Sequence, residues 1–390
     1  MRLTRLVACL VLLAVSLVSA QWLEKTIYLP DSLGGMTSPG CLAYNSANNT
    51  IYVGGDACVI AIDGATNQKV ARIPVASGVR AICYNPRNNK VYCADEMSDN
   101  VTVVDGATNS VIVTLAVGNG PVALCYDTLD NRVYCADSLS NEVTVIDGMT
   151  NQVVATVATT GNSPRAICYN PQNNKVYCAN SVSGNVTVID CTTNEVTKTV
   201  FVASSARALC YDRQDNKVYV AIENGGYLKV IDCAIDSCIA TVGTGDKPWA
   251  LCYNPQNNKV YCANWHSDDV TVIDGESNQV LRTISVGDAP VAFCHNPVQN
   301  RVYVANEYGN SISVLRDSMS GIEESLKPQA AGSRPAATVV RGLPSGAVAF
   351  DAMGRRVVSA KPGVYFVRAE PSAVSREPSA VIVRKVIIQR

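Results

Sequence analysis

The sequence predicts an all-β chain in which a seven-bladed β-propeller is followed by a small C-terminal immunoglobulin-like β-sandwich. A ten-residue motif, Tyr84 to Cys93, recurs at a spacing of 40 to 43 residues, which is the length of one four-stranded propeller blade. Between its copies, short β-branched runs alternate with Gly, Pro, Asn and Asp, a pattern that is typical of strands and turns. The seven copies begin at Tyr44, Tyr84, Tyr126, Tyr169, Tyr211, Tyr253 and His295.

Each repeat is predicted to contain four strands, A to D, as the fourth repeat illustrates. Its A strand runs into Asn-Pro-Gln-Asn-Asn, in which Pro171 presets φ and Asn174 accepts a left-handed conformation. This pattern predicts a tight turn into strand B. The four predicted strands are Arg165 to Tyr169, Lys175 to Ala179, Val186 to Ile189 and Val196 to Val202.

An aspartate opens six of the predicted turns between strands C and D. Such a set suggests a ring of carboxylates, but a position at the start of a turn favours capping of the local backbone N–H groups. We therefore interpret these side chains as turn caps. They are Asp63, Asp105, Asp147, Asp190, Asp232 and Asp274.

The two ends of the repeat array predict how the ring closes. The seventh repeat supplies strands A, B and C, ends at Ile312 to Arg316, and breaks off without a D strand. Trp22 to Pro30 precedes the first A strand, Cys41 to Tyr44, and matches the D strands in pattern. We therefore expect the N-terminal strand to become the outer strand of blade seven, which removes an exposed edge.

Residues 1–20 predict a secretory signal peptide. Arg2 and Arg5 precede an apolar run from Leu6 to Val18, which is shorter than the roughly 20 residues of a membrane-spanning helix and ends in Val-Ser-Ala. No second apolar run follows, so the mature chain is predicted to be exported and to have no membrane span. Residues 21–317 would form the propeller, 318–338 a linker rich in Ser, Pro, Ala and Gly, and 339–390 the C-terminal domain.

The net charge of −1 conceals a difference between these segments. Residues 318–390 carry 11 basic and 5 acidic side chains and residues 1–20 carry +2, which leaves −9 on residues 21–317. An acidic propeller offers no electrostatic footprint for nucleic acid, so nucleic-acid binding is disfavoured.

The repeats resemble the YVTN-type propeller family over residues 22–317. The resemblance rests on Val-Thr-Val-Ile-Asp at 143–147, 186–190 and 270–274, followed by a Val-rich strand, Gly-x-x-Pro and a Val-Tyr-x-Ala-Asn strand. It implies the propeller fold. It implies no particular activity, because propellers carry many functions.

The C-terminal segment resembles the sorting domain of the type IX secretion system. The motifs that carry the resemblance are Ser320 to Glu324, Phe350 to Val357, Lys361 to Arg368 and Arg384 to Ile388. Its predicted strands are Ala347 to Asp351, Arg356 to Ser359, Val364 to Ala369 and Ala380 to Gln389. The resemblance implies recognition of residues 339–390 by an outer-membrane secretion machinery and a secreted or cell-surface location.

Most cysteines are predicted to be small buried hydrophobes between blades. Of the 16, Cys9 lies in the predicted signal peptide, which leaves 15. A four-residue A–B loop would set Cys83 opposite Tyr92 and Cys93 opposite Ile82, so the two sulfurs point to opposite faces of the sheet. The ten cysteines of this kind are Cys83, Cys93, Cys125, Cys135, Cys168, Cys178, Cys210, Cys252, Cys262 and Cys294.

Two pairs remain as candidate disulfides. Cys233 and Cys238 lie across a C–D turn, and Cys41 and Cys58 lie near the upper rim. A metal site is disfavoured because Cys-x-x-Cys spacings with accompanying His are absent from the sequence. No cofactor is predicted.

The candidate binding site is predicted where residues differ between repeats. The D–A and B–C connections are predicted to emerge on one face, and there the residue that opens strand A differs from blade to blade. These positions would face the mouth of the central channel. They are Gly40, Arg80, Val122, Arg165, Arg207, Trp249 and Val291.

Neighbouring loops add aromatic side chains to this mouth. Blade six contributes Trp265 and His266, and blade seven contributes Glu307 and Tyr308. Aromatic side chains are typical of binding hot spots, and arginines bind carboxylates and other anions. The predicted ligand-binding set is therefore Trp249, Trp265, His266, Tyr308, Arg165, Arg207 and Arg80. An alternative stays open, in which the arginines pair with Asp95, Asp137 and other B–C loop acids and Trp249 plugs the channel.

The residues favour a binding or interaction module for an unknown extracellular ligand, protein or polysaccharide over an enzyme. The chain has two histidines, His266 and His295, which are predicted at opposite strand ends, and it lacks nucleophile-elbow, phosphate-loop and EF-hand patterns. Two alternatives remain: a propeller lyase or hydrolase whose site is on the D–A/B–C loop face and uses His266, and a structural surface-layer component.

Overall fold

The computed structural model describes residues 21–28, 36, 39–56 and 58–317, together with short strands between 348 and 388. The chain divides into two compact units, residues 1–322 and 323–390. The division falls within the predicted linker 318–338, which lies outside the described residues, as does the predicted signal peptide 1–20. No helix among the described residues is long and apolar enough to cross a membrane.

The described part of the first unit consists of strands, most of them five to seven residues long. An N-terminal strand, β1 (Gln21–Tyr28), precedes the first blade. Blade 1 contains β2 (Cys41–Asn45), β3 (Thr50–Gly54), β4 (Cys58–Asp63) and β5 (Gln68–Pro74). Blade 2 contains β6 (Val79–Asn85), β7 (Lys90–Asp95), β8 (Asn100–Asp105) and β9 (Ser110–Ala116). Blade 3 contains β10 (Pro121–Asp127), β11 (Arg132–Asp137), β12 (Glu142–Asp147) and β13 (Gln152–Ala158).

The remaining blades continue the same order. Blade 4 contains β14 (Pro164–Asn170), β15 (Lys175–Asn180), β16 (Asn185–Asp190) and β17 (Glu195–Phe201). Blade 5 contains β18 (Ala206–Asp212), β19 (Lys217–Ile222), β20 (Tyr227–Asp232) and β21 (Ser237–Gly243). Blade 6 contains β22 (Pro248–Asn254), β23 (Lys259–Asn264), β24 (Asp269–Asp274) and β25 (Val280–Ser285). Blade 7 begins with β26 (Pro290–Asn296), β27 (Arg301–Asn306) and β28 (Ser311–Asp317). Short 3₁₀ turns, Glu96–Ser98 and Glu223–Gly225, follow β7 and β19.

The structure confirms the predicted seven-bladed propeller and its closure. The strands form seven four-stranded antiparallel sheets, and the sheet of blade 7 has the order β1-β28-β27-β26. Tyr28 pairs with Ser311 and Gln21 with Asp317, so the N-terminal strand is the outer strand of the last blade. The ring is therefore held by backbone hydrogen bonds between its two ends.

The turn chemistry also follows the prediction. The last residue of each A–B turn is an asparagine with positive φ, such as Asn174 at 52°. The aspartates that open the C–D turns accept backbone N–H groups: Asp63 Oδ1 accepts from Ala65 and Thr66, at 3.1 and 2.7 Å. The Thr66 hydroxyl and then the backbone N–H groups lower the pKa of Asp63, and backbone N–H groups do the same first for Asp105 and Asp147. The carboxylates are therefore turn caps and not a catalytic ring.

The core lies between neighbouring blades, and strands B and C are buried on both faces. Every B strand carries a tyrosine of 0% exposure, and these side chains are the largest fully buried ones among the described residues. Their hydroxyls reach the C–D turn of the next blade, as where Tyr52 donates to Asn109 Oδ1 at 2.6 Å. The seven tyrosines are Tyr52, Tyr92, Tyr134, Tyr177, Tyr219, Tyr261 and Tyr303.

All 15 cysteines of residues 21–390 are free thiols, which corrects the two predicted disulfides. Cys41 packs between blades 1 and 2 and Cys58 between blades 7 and 1, on opposite faces of one sheet. Cys233 is buried against the neighbouring blade, whereas Cys238 is exposed. The register places Cys83 opposite Tyr92 and Cys93 opposite Ile82, so the reasoning against pairing within a blade is confirmed.

The second unit contains one described antiparallel sheet of four strands, in the order β30-β29-β31-β32. The strands are β29 (Val348–Phe350), β30 (Arg356–Val357), β31 (Gly363–Ala369) and β32 (Ile382–Ile388). Each lies within one residue of, or inside, a strand predicted from the sequence. A sandwich needs a second sheet, and none is present among the described residues, so the predicted sandwich stays a prediction.

Candidate ligand-binding cavity

In six of the seven blades, a β-bulge turns the variable residue of the A strand out of the regular ladder. In blade 2 the register passes from Val79–Asp95 to Ala81–Ala94, which leaves Arg80 as the extra residue. The same shift occurs at the start of β10, β14, β18, β22 and β26. A bulge bends its strand and redirects the extra side chain. The bulged residues are Arg80, Val122, Arg165, Arg207, Trp249 and Val291.

A second variable position sits beside each bulge, at the first residue of the B–C loop. Its backbone N–H donates to the D–A turn that leads into the same blade; for example, the Trp265 N–H donates to the Lys247 carbonyl at 2.9 Å. The same bond forms from Glu96, Ser138, Ser181, Glu223 and Glu307. This bond ties the two loops of a blade together, so the side chains above them are held by a repeated backbone frame.

These positions enclose a cavity of about 320 Å³ at one end of the channel. The structure brings together six of the seven predicted binding residues: Arg80, Arg165, Arg207, Trp249, Trp265 and Tyr308. The other lining residues are Gly40, Val122, Val291 and Glu307. Small-molecule sites are usually clefts of roughly 300–1,000 Å³, so the cavity is large enough for one small ligand.

Two of the three cavity arginines are paired with glutamates of their own blades. Arg80 Nε lies 3.5 Å from Glu96 Oε2, and an Arg207 guanidinium nitrogen lies 3.9 Å from Glu223 Oε2. Arg165 has Ser181 at the corresponding position, and within the described part of the chain it makes no hydrogen bond or ion pair. One arginine of the cavity is therefore not compensated locally.

The alternative in which the arginines pair with B–C loop acids is confirmed for Arg80 and Arg207, which pair with Glu96 and Glu223, but it is wrong for Asp95 and Asp137. Both aspartates are fully buried, and they accept hydrogen bonds from the Thr102 and Thr144 hydroxyls at 2.5 and 2.6 Å. Burial raises the pKa of each aspartate to about 6, against the lowering effect of its threonine. Arg80 instead pairs with Glu96, which directly follows Asp95, and Arg207 pairs with the equivalent residue of its blade, Glu223.

An aromatic cluster forms the wall of the cavity on blades 6 and 7. The Trp249 and Trp265 rings are stacked, with centroids 5.6 Å apart and an interplanar angle of 22°. The Tyr308 ring meets Trp265 edge-on at 5.7 Å. The Arg207 guanidinium carbon lies 3.4 Å from the Trp249 ring centroid, a cation–π contact that ties the arginines to this wall.

The electrostatics of the cavity are dominated by its arginines. Burial, followed by the charges of Arg80 and Arg165, lowers the pKa of Arg207 to about 10, while Glu223 and Glu307 oppose the shift. Arg207 therefore keeps its charge at neutral pH. An anion in the cavity would relieve the repulsion among the three guanidinium groups.

The Trp265 indole carries a further unsatisfied group. Its Nε1 is buried and has no hydrogen-bond acceptor in the structure. A buried donor without an acceptor costs roughly 1–3 kcal/mol. A ligand would satisfy this N–H group only if the Trp265 side chain moved enough to uncover it.

His266 does not line the cavity. It is exposed, and its ring centroid lies 6.1 Å from that of Trp265. His295 lies at the far end of its strand, where Nε2 is 3.4 Å from Asn300 Oδ1. The two histidines are at opposite strand ends, as predicted, and the described residues contain no cluster of His, Cys, Asp or Glu suited to a metal ion.

The sequence analysis missed Glu96, Glu223 and Lys247. The two glutamates follow their arginines by 16 positions, the separation that also relates Trp249 to Trp265. An alignment of the blades shows this constant separation, and it could have predicted which two positions of a blade lie together. Lys247, with its Nζ 5.1 Å from the Trp265 ring centroid, leaves no comparable signal.

Comparisons with known proteins agree with the fold. Residues 56–210 match the model of a family described as lactonase, 7-bladed beta-propeller. This match includes the three cavity arginines and ends before the aromatic wall. A chain of Kuenenia stuttgartiensis hydrazine synthase is 19% identical, with a TM-score of 0.68 over 73% of this chain and 97% of that chain. At this identity the likeness shows the fold alone, and no curated protein matches the sequence significantly.

Proposed function

We propose that this protein is an extracellular binding protein that takes a small ligand into the cavity at the mouth of its channel. The observation that carries the proposal is the convergence of Arg165, the Arg207–Trp249 pair and Trp265 on one cavity. The positions that open strand A and the B–C loop differ from blade to blade and line the cavity, whereas strands B and C keep a common pattern. Aromatic and arginine side chains around an enclosed space are typical of binding sites.

The proposed location rests on sequence features outside the described residues. A signal peptide at residues 1–20 would direct export, and residues 339–390, similar to type IX sorting domains, would be recognised by secretion machinery at the outer membrane. The YVTN-type resemblance of the repeats is compatible with such a surface protein. The alternative of a structural surface-layer component predicts self-assembly, which light scattering of the mature chain measures.

The experiment for binding is a ligand screen by thermal shift, followed by titration calorimetry, on the mature chain 21–390. The panel contains neutral and acidic sugars, amino acids and aromatic carboxylates. Arg207→Met and Trp249→Ala should abolish binding of any hit, because they dismantle the cation–π pair. Arg213→Met, on an exposed A–B turn at the other face, serves as the matched control. A hit that survives both cavity substitutions would refute the proposed site.

A lactone hydrolase is the second candidate, because the family match covers the cavity arginines. Arginine guanidinium groups stabilise a developing oxyanion, and Glu307, which lines the same cavity, is a candidate general base for water. His266, the base assumed from the sequence, lies outside the cavity. Proton release from sugar δ-lactones tests this candidate, and Glu307→Gln should abolish any activity. A rate equal to the uncatalysed hydrolysis would exclude it for those lactones.

A further inference from the structure

Among the described residues, no carboxylate lies beside one guanidinium of the cavity, that of Arg165. Arg80 and Arg207 each pair with a glutamate of their own blade, whereas Arg165 has Ser181 at the equivalent position and makes no hydrogen bond or ion pair within the described part of the chain. Glu307 lines the cavity three blades away from Arg165 and acts on Arg207. A single carboxylate matches one uncompensated guanidinium in charge and in its two-pronged geometry, whereas a phosphate dianion brings one charge too many.

A ligand that fits the aromatic wall combines a hydrogen-bond acceptor with an apolar surface. Trp265 Nε1 is buried without an acceptor, and Tyr308, whose side chain is 67% exposed, packs edge-on against the same indole. A sugar ring offers both hydroxyl acceptors and C–H groups that pack on aromatic side chains. A purely aromatic acid offers the packing surface but lacks the second acceptor.

We propose that the cavity binds a sugar ring that carries one carboxylate, such as a uronate; this rests on the binding function proposed above. The carboxylate binds Arg165, with Arg80 and Arg207 adding positive potential, and a ring oxygen accepts from Trp265 Nε1 after a movement of the indole that uncovers this buried group. A volume of about 320 Å³ suits one ring. The same group occurs in free acidic monosaccharides and at the end of acidic polysaccharides, and both sources share this chemistry.

Titration calorimetry of the mature chain with D-glucuronate, D-glucose, glucose 6-phosphate and benzoate tests the ligand class. Glucuronate should bind at least about tenfold more tightly than each of the others, a difference of about 1.4 kcal/mol. Equal affinity for glucose would overturn the role of the carboxylate. Tighter binding of glucose 6-phosphate would overturn the single-charge argument, and equal binding of benzoate would overturn the sugar ring.

Two single substitutions assign the contacts. Arg165→Met should lower glucuronate affinity about tenfold or more and leave glucose affinity unchanged. Trp265→Phe keeps an aromatic ring but removes the donor, so it should weaken both sugars. Arg213→Met removes the same charge on the opposite face and should leave both affinities unchanged. An equal loss of glucuronate affinity in this control would mean that binding is non-specific charge attraction, which would overturn the proposal.

The outcomes separate this inference from the function on which it rests. Binding of another small ligand without a preference for uronates overturns the inference alone, whereas a panel with no binder overturns the binding function as well. A triuronate compared with free glucuronate distinguishes the sources: tighter binding of the trimer supports a polysaccharide end, and tighter binding of the monomer supports a free acid.

Discussion

The Tyr303 hydroxyl donates to Asn67 Oδ1 at 2.5 Å, although the two residues are 236 positions apart. The bond connects blade 7 to the C–D turn of blade 1. The same contact joins blades within the array, as between Tyr134 and Asn194 at 3.1 Å. Ring closure thus uses the contact that each repeat makes with its neighbour, in addition to the pairing of β1 with β28.

The first prediction concerns this contact. Tyr303→Phe removes the hydroxyl, so the buried side-chain carbonyl of Asn67 loses this hydrogen-bond donor. The free energy of unfolding, measured by urea titration, should therefore fall by about 1–3 kcal/mol. Tyr134→Phe removes an equivalent bond inside the array and should cost a similar amount. Unchanged stability of Tyr303→Phe would mean that closure does not depend on the side-chain bond.

The second prediction concerns the N-terminal strand. Deletion of residues 22–30 removes the outer strand of blade 7 and exposes the edge of β28, so the melting midpoint should fall by about 10 °C, on the basis of a few degrees per kcal/mol in a domain of this size. Deletion of residues 323–390, the other compact unit, should leave the midpoint of the propeller unchanged. Equal midpoints for the two deletions would contradict the structural role of β1.

The third prediction concerns the cysteines. Burial raises the pKa of Cys83 and Cys252 to about 12, which keeps their thiols protonated and slow to react. In the native protein at pH 8, one thiol should react rapidly, that of the exposed Cys238, and Cys238→Ser should abolish this phase. In denaturant without reductant, most of the 15 thiols should react; three or fewer would contradict the free-thiol assignment.

The fourth prediction is a pH dependence that arises from Asp95 and Asp137. Their folded pKa of about 6 lies above the ordinary value of 3.8, so between these values the folded state binds more protons than the unfolded state. Their contribution to stability is therefore greatest below pH 4 and declines as the pH rises through 6. Blades 4 and 6 carry Asn180 and Asn264 at the equivalent position, where each amide donates to a threonine hydroxyl.

Replacing one of these aspartates by asparagine, the residue of blades 4 and 6, tests this pH dependence. Asp137→Asn should raise the free energy of unfolding at pH 7 to 8 by roughly 2 kcal/mol and flatten its dependence between pH 4 and 7. Asn264→Asp should do the opposite. Denaturant titrations across this pH range measure both, and a stability that rises with pH in the parent but not in Asp137→Asn would reverse the sign of the argument.

The fifth prediction concerns export. A chain that ends at Asp317 keeps all described propeller strands and should fold normally, but it should remain in the periplasm if residues 339–390 carry the sorting signal. The full chain should reach the cell surface or the medium. Fractionation with a periplasmic marker distinguishes the two, and equal release of the truncated chain would assign the C-terminal unit another role.

The repeat spacing and local chemistry of this sequence determined the number of blades, the strand positions, the left-handed Asn174 and the register of Cys83 with Tyr92. These features depend on side-chain alternation and on turn residues, which act over a few positions and leave a visible pattern. The closure by residues 22–30 could also be predicted, because an array lacking one strand at its end has a matching strand at its start.

Only the tertiary structure decided which side chains meet. Arg80 pairs with Glu96 and not with Asp95, and Cys41 and Cys58 pack on opposite faces of a blade, because the side-chain direction is set by bulges and by the twist of each sheet. The stacking of Trp249 on Trp265 also depends on the backbone arrangement of the A strand and the B–C loop, which the sequence pattern does not reveal. The same holds for the absence, among the described residues, of a carboxylate beside Arg165. The positions that vary between repeats therefore located the cavity, whereas the pairing of its charges and its unsatisfied indole donor could be seen only in the folded ring.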